Sequence, residues 1–231
     1  MKKIAARLRR ALKESHELAR RLDDPGFPLA SLELLQDWQR QRLSRSYEAL
    51  ISQDRYRAAG DFFLAELYGG LHFRERDQQM ERVLPIMVRM LRPDMLLALA
   101  EAFELQSLSL VLDMDMAARL NERGWDELNT ARYGELYRAC GREAERKKQV
   151  ETIRELGLEL NKLVRHRLVL WLIKTVRGPA RAAGFGLLQS FLEQGFTAFR
   201  IMGDGTEFIE TIWRTETAVM QKLMAGDENP F

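Results

Sequence analysis

Residues 93–124 read PDMLLALAEAFELQSLSLVLDMDMAARLNERG, a long and strongly apolar segment. Apolar side chains recur in it every three or four residues, which is the spacing of one face of an α-helix. Pro93 suits the first turn of a helix, because its ring fixes φ near the helical value and its missing N–H would have no partner there. Gly124 suits the end of a helix. The segment therefore predicts one long helix whose apolar side chains pack against other helices.

The same spacing continues on both sides of this segment, and neither strand-like alternation nor a repeat of fixed period is found. We therefore predict an all-α fold, a compact multi-helix bundle of about nine helices in a single domain over residues 1–231. A basic amphipathic helix over residues 1–22 comes first, and residues 226–231 are predicted to be a frayed tail. The other predicted helices cover about 31–51, 54–70, 74–91, 129–139, 142–176, a segment after Gly178-Pro179 that ends at Met202, and a segment after Gly203–Thr206 that ends before Gly226.

Charge is nearly balanced over the whole chain but not along it. Lys and Arg number 36 against 34 Asp and Glu, a net charge of +2. Residues 1–21 hold eight basic and two acidic residues, residues 142–181 eleven and five, and residues 94–128 two and eight. The basic segments could form a surface for nucleic acid or an anionic membrane, or they could pair with the acidic segment within one chain or across a dimer. We favour the pairing, because nucleic-acid-binding proteins are usually far more basic.

The composition excludes several kinds of site. Cys140 is the single cysteine, which excludes a disulfide framework and a cysteine-based zinc site within one chain. None of the three histidines has a glutamate three residues before it, and the GxxxxGK[ST] and GxGxxG phosphate loops are absent, so we predict no metal and no cofactor. The most apolar short run, Leu168–Ile173, is far shorter than the roughly 20 residues of a membrane span. No apolar export signal follows the basic N-terminus, so we predict a soluble cytoplasmic protein.

A second apolar segment, FFLAELYGG at residues 62–70, is interrupted by a single charge, Glu66. A helix that is apolar nearly all round is usually buried, and a buried carboxylate needs a partner. Arg74, Arg76 and Arg82 follow closely in the sequence and could supply one. Either a salt bridge fixes the packing of two helices, or Glu66 and an arginine form the polar part of a ligand pocket with apolar walls.

The string FFLAELYGG, followed by Arg76-Asp77, Arg82, Leu84-Pro85 and later Leu108–Asp113, resembles an uncharacterised bacterial family named for its FFLEE motif. The resemblance covers about residues 47–120. It implies an all-helical, cytoplasmic, bacterial protein of unassigned role. This chain has Ala65 where the family pattern has the first of two glutamates, so Glu66 is the retained carboxylate. The resemblance implies one candidate polar cluster, which consists of Glu66, Arg76, Asp77, Arg82 and Asp113.

Three hypotheses of function follow. The first is a non-enzymatic helical interaction or scaffold protein that forms a homodimer and meets a protein partner through its basic first helix. The second is a small-molecule binding protein or enzyme with an apolar pocket near Glu66, lined by Phe62, Phe63, Phe103 and Trp171. The third is weak nucleic-acid binding through the basic helices. We favour the first, because no catalytic arrangement is recognisable, and we regard both an enzymatic role and nucleic-acid binding as disfavoured.

Overall fold

The structure is a computed structural model, and it describes residues 1–64, 84–85, 88–89, 91–165 and 186–231. Every regular element in these ranges is a helix and none is a strand, which confirms the predicted all-α class. Nine helices are assigned there: α1 (Lys2–Leu22), α2 (Leu29–Ser46), α3 (Glu48–Ile51), α4 (Asp54–Phe62), α5 (Pro93–Glu122), α6 (Thr130–Ala139), α7 (Glu143–Leu163), α8 (Gly186–Met202) and α9 (Thr206–Ala225).

The fold is organised around α5, the helix predicted from residues 93–124. The helices α1, α2, α6 and α7 all pack against it. On one side of its first half, apolar residues meet α1 in a buried cluster of Leu8, Ala11, Leu12, Leu96, Ala100 and Phe103. On the opposite side, Ala98 packs against Leu156 and Leu163 of α7. A helix that is apolar around most of its circumference has to be covered from several directions, and α5 is covered in this way.

The second half of α5 lies in a cluster that joins the two ends of the chain. It brings together buried residues of α1, α2, α5, α6 and α9, among them Leu22, Leu35, Met114, Leu136 and Leu223. A further cluster packs Phe208, Ile209 and Ile212 of α9 against Leu43 and Tyr56. The helix α9 is therefore the second centre of packing, and it holds α2, α4, α6 and α7 in place.

The helices α4 and α8 approach each other closely at a glycine. The rings of Phe62 and Phe191 lie 5.3 Å apart between centroids. Gly195 lies under the Phe62 ring, and a Cβ atom placed on it would come within 2.7 Å of that ring. The missing side chain is what allows the two helices to pack at this distance.

Two predicted helices differ from those observed. The helix predicted over 31–51 is divided at Tyr47, where φ is −112° and ψ is 9°. This break directs the Tyr47 hydroxyl to Glu216 of α9, to which it donates a hydrogen bond of 2.6 Å. The helix predicted over 142–176 ends at Leu163. Most of the helix predicted over 74–91 lies outside the described residues.

The segment predicted to be a frayed tail, residues 226–231, has defined contacts in the structure. Gly226 adopts a left-handed φ of 81°, and the N–H groups of Gly226 and Asp227 donate to the carbonyls of Leu223 and Lys222. This is the Schellman arrangement, which closes a helix end and turns the chain back. The segment then returns to α2 and α6, where the Phe231 ring contacts Trp38 and Tyr133. Aromatic contacts therefore hold the Phe231 end of this segment.

One described helix, α5, is long and apolar enough to cross a membrane. It is nevertheless covered by α1, α2, α6 and α7. Its carboxylates at Glu104 and Asp115 pair with Arg7 and Arg142. These contacts place α5 among other helices of the chain, and part of its apolar surface is buried against them.

The contact between α4 and α8 gives the first prediction. Replacing Gly195 with Ala forces the Phe62 ring or α8 to move, so we expect the free energy of unfolding to fall by about 1–3 kcal/mol. The control is Gly186→Ala in the same helix, where no atom lies within 4 Å of the added carbon. That change should leave stability unchanged or raise it by about 0.5–1 kcal/mol. Urea unfolding measures both, and equal stability of the Gly195→Ala variant and the wild type would contradict the packing described.

Candidate functional site

The residues of the predicted polar cluster are only partly described. Asp113 lies on α5, whereas Glu66, Arg76, Asp77 and Arg82 lie outside the described residues. Their convergence on one site therefore stays a prediction.

The predicted apolar pocket is divided in the same way. Phe103 is buried in the cluster between α1 and α5. Phe62 contacts Phe191 of α8, and Phe63, the residue after α4, is half-buried. Trp171 lies outside the described residues. The structure thus places Phe103 among ordinary core residues and Phe62 in a contact between two helices.

Asp113 belongs to a polar network between α2 and α5. Its two carboxylate oxygens accept hydrogen bonds from the side-chain amides of Gln39, at 3.1 Å, and Gln36, at 3.4 Å. The Gln39 amide also lies 3.5 Å from the Tyr133 hydroxyl. Burial raises the pKa of Asp113, and the nearby Arg146 charge and the two amides oppose that rise. The network satisfies the carboxylate with neutral donors rather than with a direct ion pair.

Arg146 of α7 is the charged residue that opposes the rise in the pKa of Asp113, and its side chain is buried. Its guanidinium lies over the Tyr137 ring, 4.8 Å from the centroid, which is favourable for a cation. It also donates to the Gln149 side chain at 3.2 Å, and Gln149 donates to Ser109 of α5 at 2.8 Å. Burial raises the pKa of Tyr137, which keeps that hydroxyl protonated. The group holds α5, α6 and α7 together.

A second buried contact joins α2 to α9. Arg42 donates to both carboxylate oxygens of Glu216, at 2.5 and 2.9 Å, and the Tyr47 hydroxyl donates to the same carboxylate. The side chains of Arg42 and Glu216 are 9% and 16% exposed. A two-pronged pair of this kind is geometrically specific and stronger than a neutral hydrogen bond. It fixes the position of α2 relative to α9.

Gln39 and Arg42 are buried polar residues that the sequence analysis did not identify as candidates. Both occupy positions that continue the buried stripe of α2 after Leu32 and Leu35. A polar residue at an apolar position of a helical stripe is the signal that could have revealed them.

Cys140 is half-buried at the end of α6. Burial raises the pKa of its thiol, with Arg119 and Arg146 acting in the opposite direction. The thiol is therefore held mainly in its less nucleophilic protonated form. Across the described part of the chain, no group of three or more His, Cys, Asp or Glu residues could hold a metal ion.

The first helix presents a basic surface. Its apolar side faces α5, and Arg7 at the margin pairs with Glu104 at 2.7 Å and Glu101 at 3.5 Å. Together with the pair of Arg142 and Asp115, this confirms the predicted pairing of basic segments with the acidic one within the chain. The other basic residues of α1 are exposed, and they are Lys2, Lys3, Arg9, Arg10, Lys13, Arg20 and Arg21.

Four of these exposed residues form a row, which we call the α1 stripe: Lys2, Arg9, Lys13 and Arg20. At about 100° and 1.5 Å per residue, they fall within about 40° of one another around the helix and extend over about 27 Å of its length. Glu14 and Glu17 are exposed on the same helix, and Glu17 lies 3.6 Å from Lys13. The stripe is thus a linear arrangement of cations with some acidic residues beside it.

These features define an all-α protein with buried polar contacts and a basic first helix. The model of one protein family, described as a domain of unknown function (DUF8198), matches residues 18–230. The chain therefore belongs to that family. The match begins at Leu18, inside α1, so most of the α1 stripe precedes it. Comparison with curated proteins finds no match, and comparison with solved structures finds none either.

The Asp113 network gives the second prediction. The pKa of Asp113 is raised above its ordinary value of 3.8, so above pH 3.8 the unfolded chain loses this proton more readily than the folded chain. We compare the free energy of unfolding of the wild type with that of Asp113→Asn. The wild-type value minus the variant value should fall as the pH rises from 3.8 to the raised pKa of Asp113, and then level off. The asparagine oxygen still accepts from Gln39, which limits other changes.

Urea unfolding of both proteins across this pH range measures the difference. The exposed residue Asp126 provides the control, because the matched change Asp126→Asn removes one carboxylate without touching the Asp113 network. A difference in stability that does not depend on pH, or that favours the wild type as the pH rises, would contradict the prediction.

Proposed function

We propose that this protein is a non-enzymatic helical interaction protein, and that the α1 stripe is its docking surface for an acidic protein partner. The observation that carries the proposal is the combination of a firmly anchored helix with a row of exposed cations. The buried face of α1 fixes the backbone on α5, so the cations are presented in a defined geometry. Such a surface steers an oppositely charged partner and fixes its register.

The anchoring of α1 also argues against insertion into a membrane. An amphipathic helix lies in a membrane interface by burying its apolar face among the lipids. In this protein the same face is covered by α5 through Leu8, Ala11 and Leu12. Only the charged face is available to a partner.

An acidic protein fits this surface better than a nucleic acid does. The whole chain has a net charge of only +2, and nucleic-acid-binding surfaces are usually far more basic. Exposed Glu14 and Glu17 beside the stripe would repel a continuous phosphate backbone. A partner helix with spaced carboxylates can meet the cations and leave these glutamates in solvent.

The proposal includes a homodimer, as expected from the sequence. Two α1 stripes would repel each other if they met face to face, because like charges at an interface are unfavourable. We therefore assign the contact between copies to a surface other than α1. A monomer by light scattering at high concentration would contradict the dimer. The resemblance to the FFLEE-motif family supports a bacterial and cytoplasmic setting as part of the same proposal.

Charge reversal tests the docking surface. The variant Lys2→Glu, Arg9→Glu, Lys13→Glu, Arg20→Glu should bind an acidic probe at least about tenfold more weakly, because several charge contacts are lost together. The probe is an alanine-based helical peptide with glutamates at the spacing of the stripe. Fluorescence anisotropy at low and at physiological salt measures its binding.

Two controls make this experiment decisive. The first exchanges Lys and Arg within the stripe, which keeps the charge and should keep the affinity. The second reverses four exposed cations elsewhere, Arg45, Lys147, Lys148 and Arg200, and so changes the net charge equally. Loss of binding in the second control to the same degree, or tighter binding of an RNA oligonucleotide than of the peptide, would contradict the proposal.

A further inference from the structure

The segment 226–231 ends against two helices, α2 and α6. Its Phe231 ring lies 5.7 Å from Trp38 of α2 and 6.2 Å from Tyr133 of α6, between ring centroids. The Arg42 guanidinium lies 5.2 Å from the centroid of the same ring. We call Trp38, Tyr133 and Arg42 the aromatic seat.

Contacts with neighbouring side chains fix the three residues of the aromatic seat. Trp38 and Tyr133 stack on each other with 4.3 Å between centroids. The Glu216 carboxylate holds Arg42 with two hydrogen bonds. A prearranged pair of aromatic rings beside a fixed guanidinium is suited to bind a further aromatic side chain, since both ring contacts and cation–π attraction are available.

The occupant fills the seat incompletely. Phe231 remains 42% exposed. Beside it lies an open groove of about 450 Å³ along α9, lined by Thr211, Arg214, Thr215, Ala218, Val219, Lys222, Pro230 and Phe231. None of these described lining residues is an Asp or a Glu. Arg214 and Lys222 are exposed and stand eight residues apart on α9, about 12 Å along the helix, so the groove is apolar in the middle and positive toward both ends.

We propose that the aromatic seat and the adjoining groove are a docking site for an extended segment of a partner protein that carries an aromatic side chain close to carboxylates. Pro230 and Phe231 line the groove and show that the site accepts apolar and aromatic side chains. Asp227 and Glu228 are exposed and outside the groove, so the acidic part of the partner is inferred from the charges of Arg214 and Lys222 alone. These cations favour carboxylates next to the aromatic side chain of a partner. This site is separate from the α1 stripe and does not depend on it.

The chain's own segment is then a tethered competitor. A short tether holds the chain's own segment at an effective concentration of millimolar order. A partner segment displaces it when the partner's concentration divided by its dissociation constant exceeds the same ratio for the tethered segment. If the tethered segment occupies the seat two-thirds of the time or more, the apparent dissociation constant for a partner is raised about threefold or more. The partial exposure of Phe231 keeps this occupancy reversible, because less apolar surface is removed from water than in a filled seat.

The probe for the experiment is a labelled peptide that copies residues 225–231, and the protein is the full chain. Phe231→Ala empties the seat without touching the helices that form it. We expect this variant to bind the peptide at least about threefold more tightly than the wild type, by fluorescence anisotropy. The same peptide with Ala in place of its Phe should not bind measurably.

A second variant tests the groove. In the Phe231→Ala background, Arg214→Glu with Lys222→Glu should weaken binding of the peptide at least about threefold, because attraction becomes repulsion at two exposed positions. Charge reversal of the α1 stripe in the same background should leave the affinity unchanged, which separates this site from the proposed function. Three results would each overturn the proposal. They are equal affinity of the wild type and the Phe231→Ala variant for the peptide, equal affinity of the Phe231→Ala variant for the peptide with and without its Phe, and unchanged affinity in the groove variant.

Discussion

The burial of α5 is the constraint on which the rest of the structure depends. Its apolar side chains project in several directions, so no single neighbour can remove them from water. The helix α1 covers α5 on one side and α7 covers it on the other, while α2 and α6 cover its second half. Each large apolar side chain buried in this way contributes about 1.5–3 kcal/mol, against about 0–1 kcal/mol for an exposed ion pair. The pairs of Arg7 and Arg142 with α5 therefore adjust the position of helices that apolar packing already holds.

The buried polar contacts have a different effect, because they disfavour wrong arrangements. A shift of α2 by one turn would remove Glu216 from Arg42 and leave a buried charge without its carboxylate, which is strongly destabilising. The amides of Gln36 and Gln39 place a similar restriction on Asp113. Apolar stripes alone tolerate more than one register, and these contacts select among them.

Much of the helical layout could be predicted from spacing and from the residues at helix ends. The helices predicted over residues 1–22 and 129–139 nearly coincide with α1 and α6, and Asn129 caps α6 by accepting from the N–H of Arg132. The break at Tyr47 could not be predicted from local spacing, and the Glu216 carboxylate to which its hydroxyl donates is 169 residues away. The return of the 226–231 segment depends in the same way on Trp38 and Tyr133. For Glu66 and its arginines, outside the described residues, the pattern of the sequence is still the basis of the prediction.

The pair of Arg42 and Glu216 spans 174 residues, and this separation matters while the protein is being made. At ribosomal rates of about 5–20 residues per second, α2 leaves the ribosome roughly 10–35 s before Glu216 does. During that interval Arg42 lacks its carboxylate, and the apolar face of α2 lacks the cover of α9. The two buried clusters to which α9 contributes can therefore be completed only after residues 206–225 have left the ribosome.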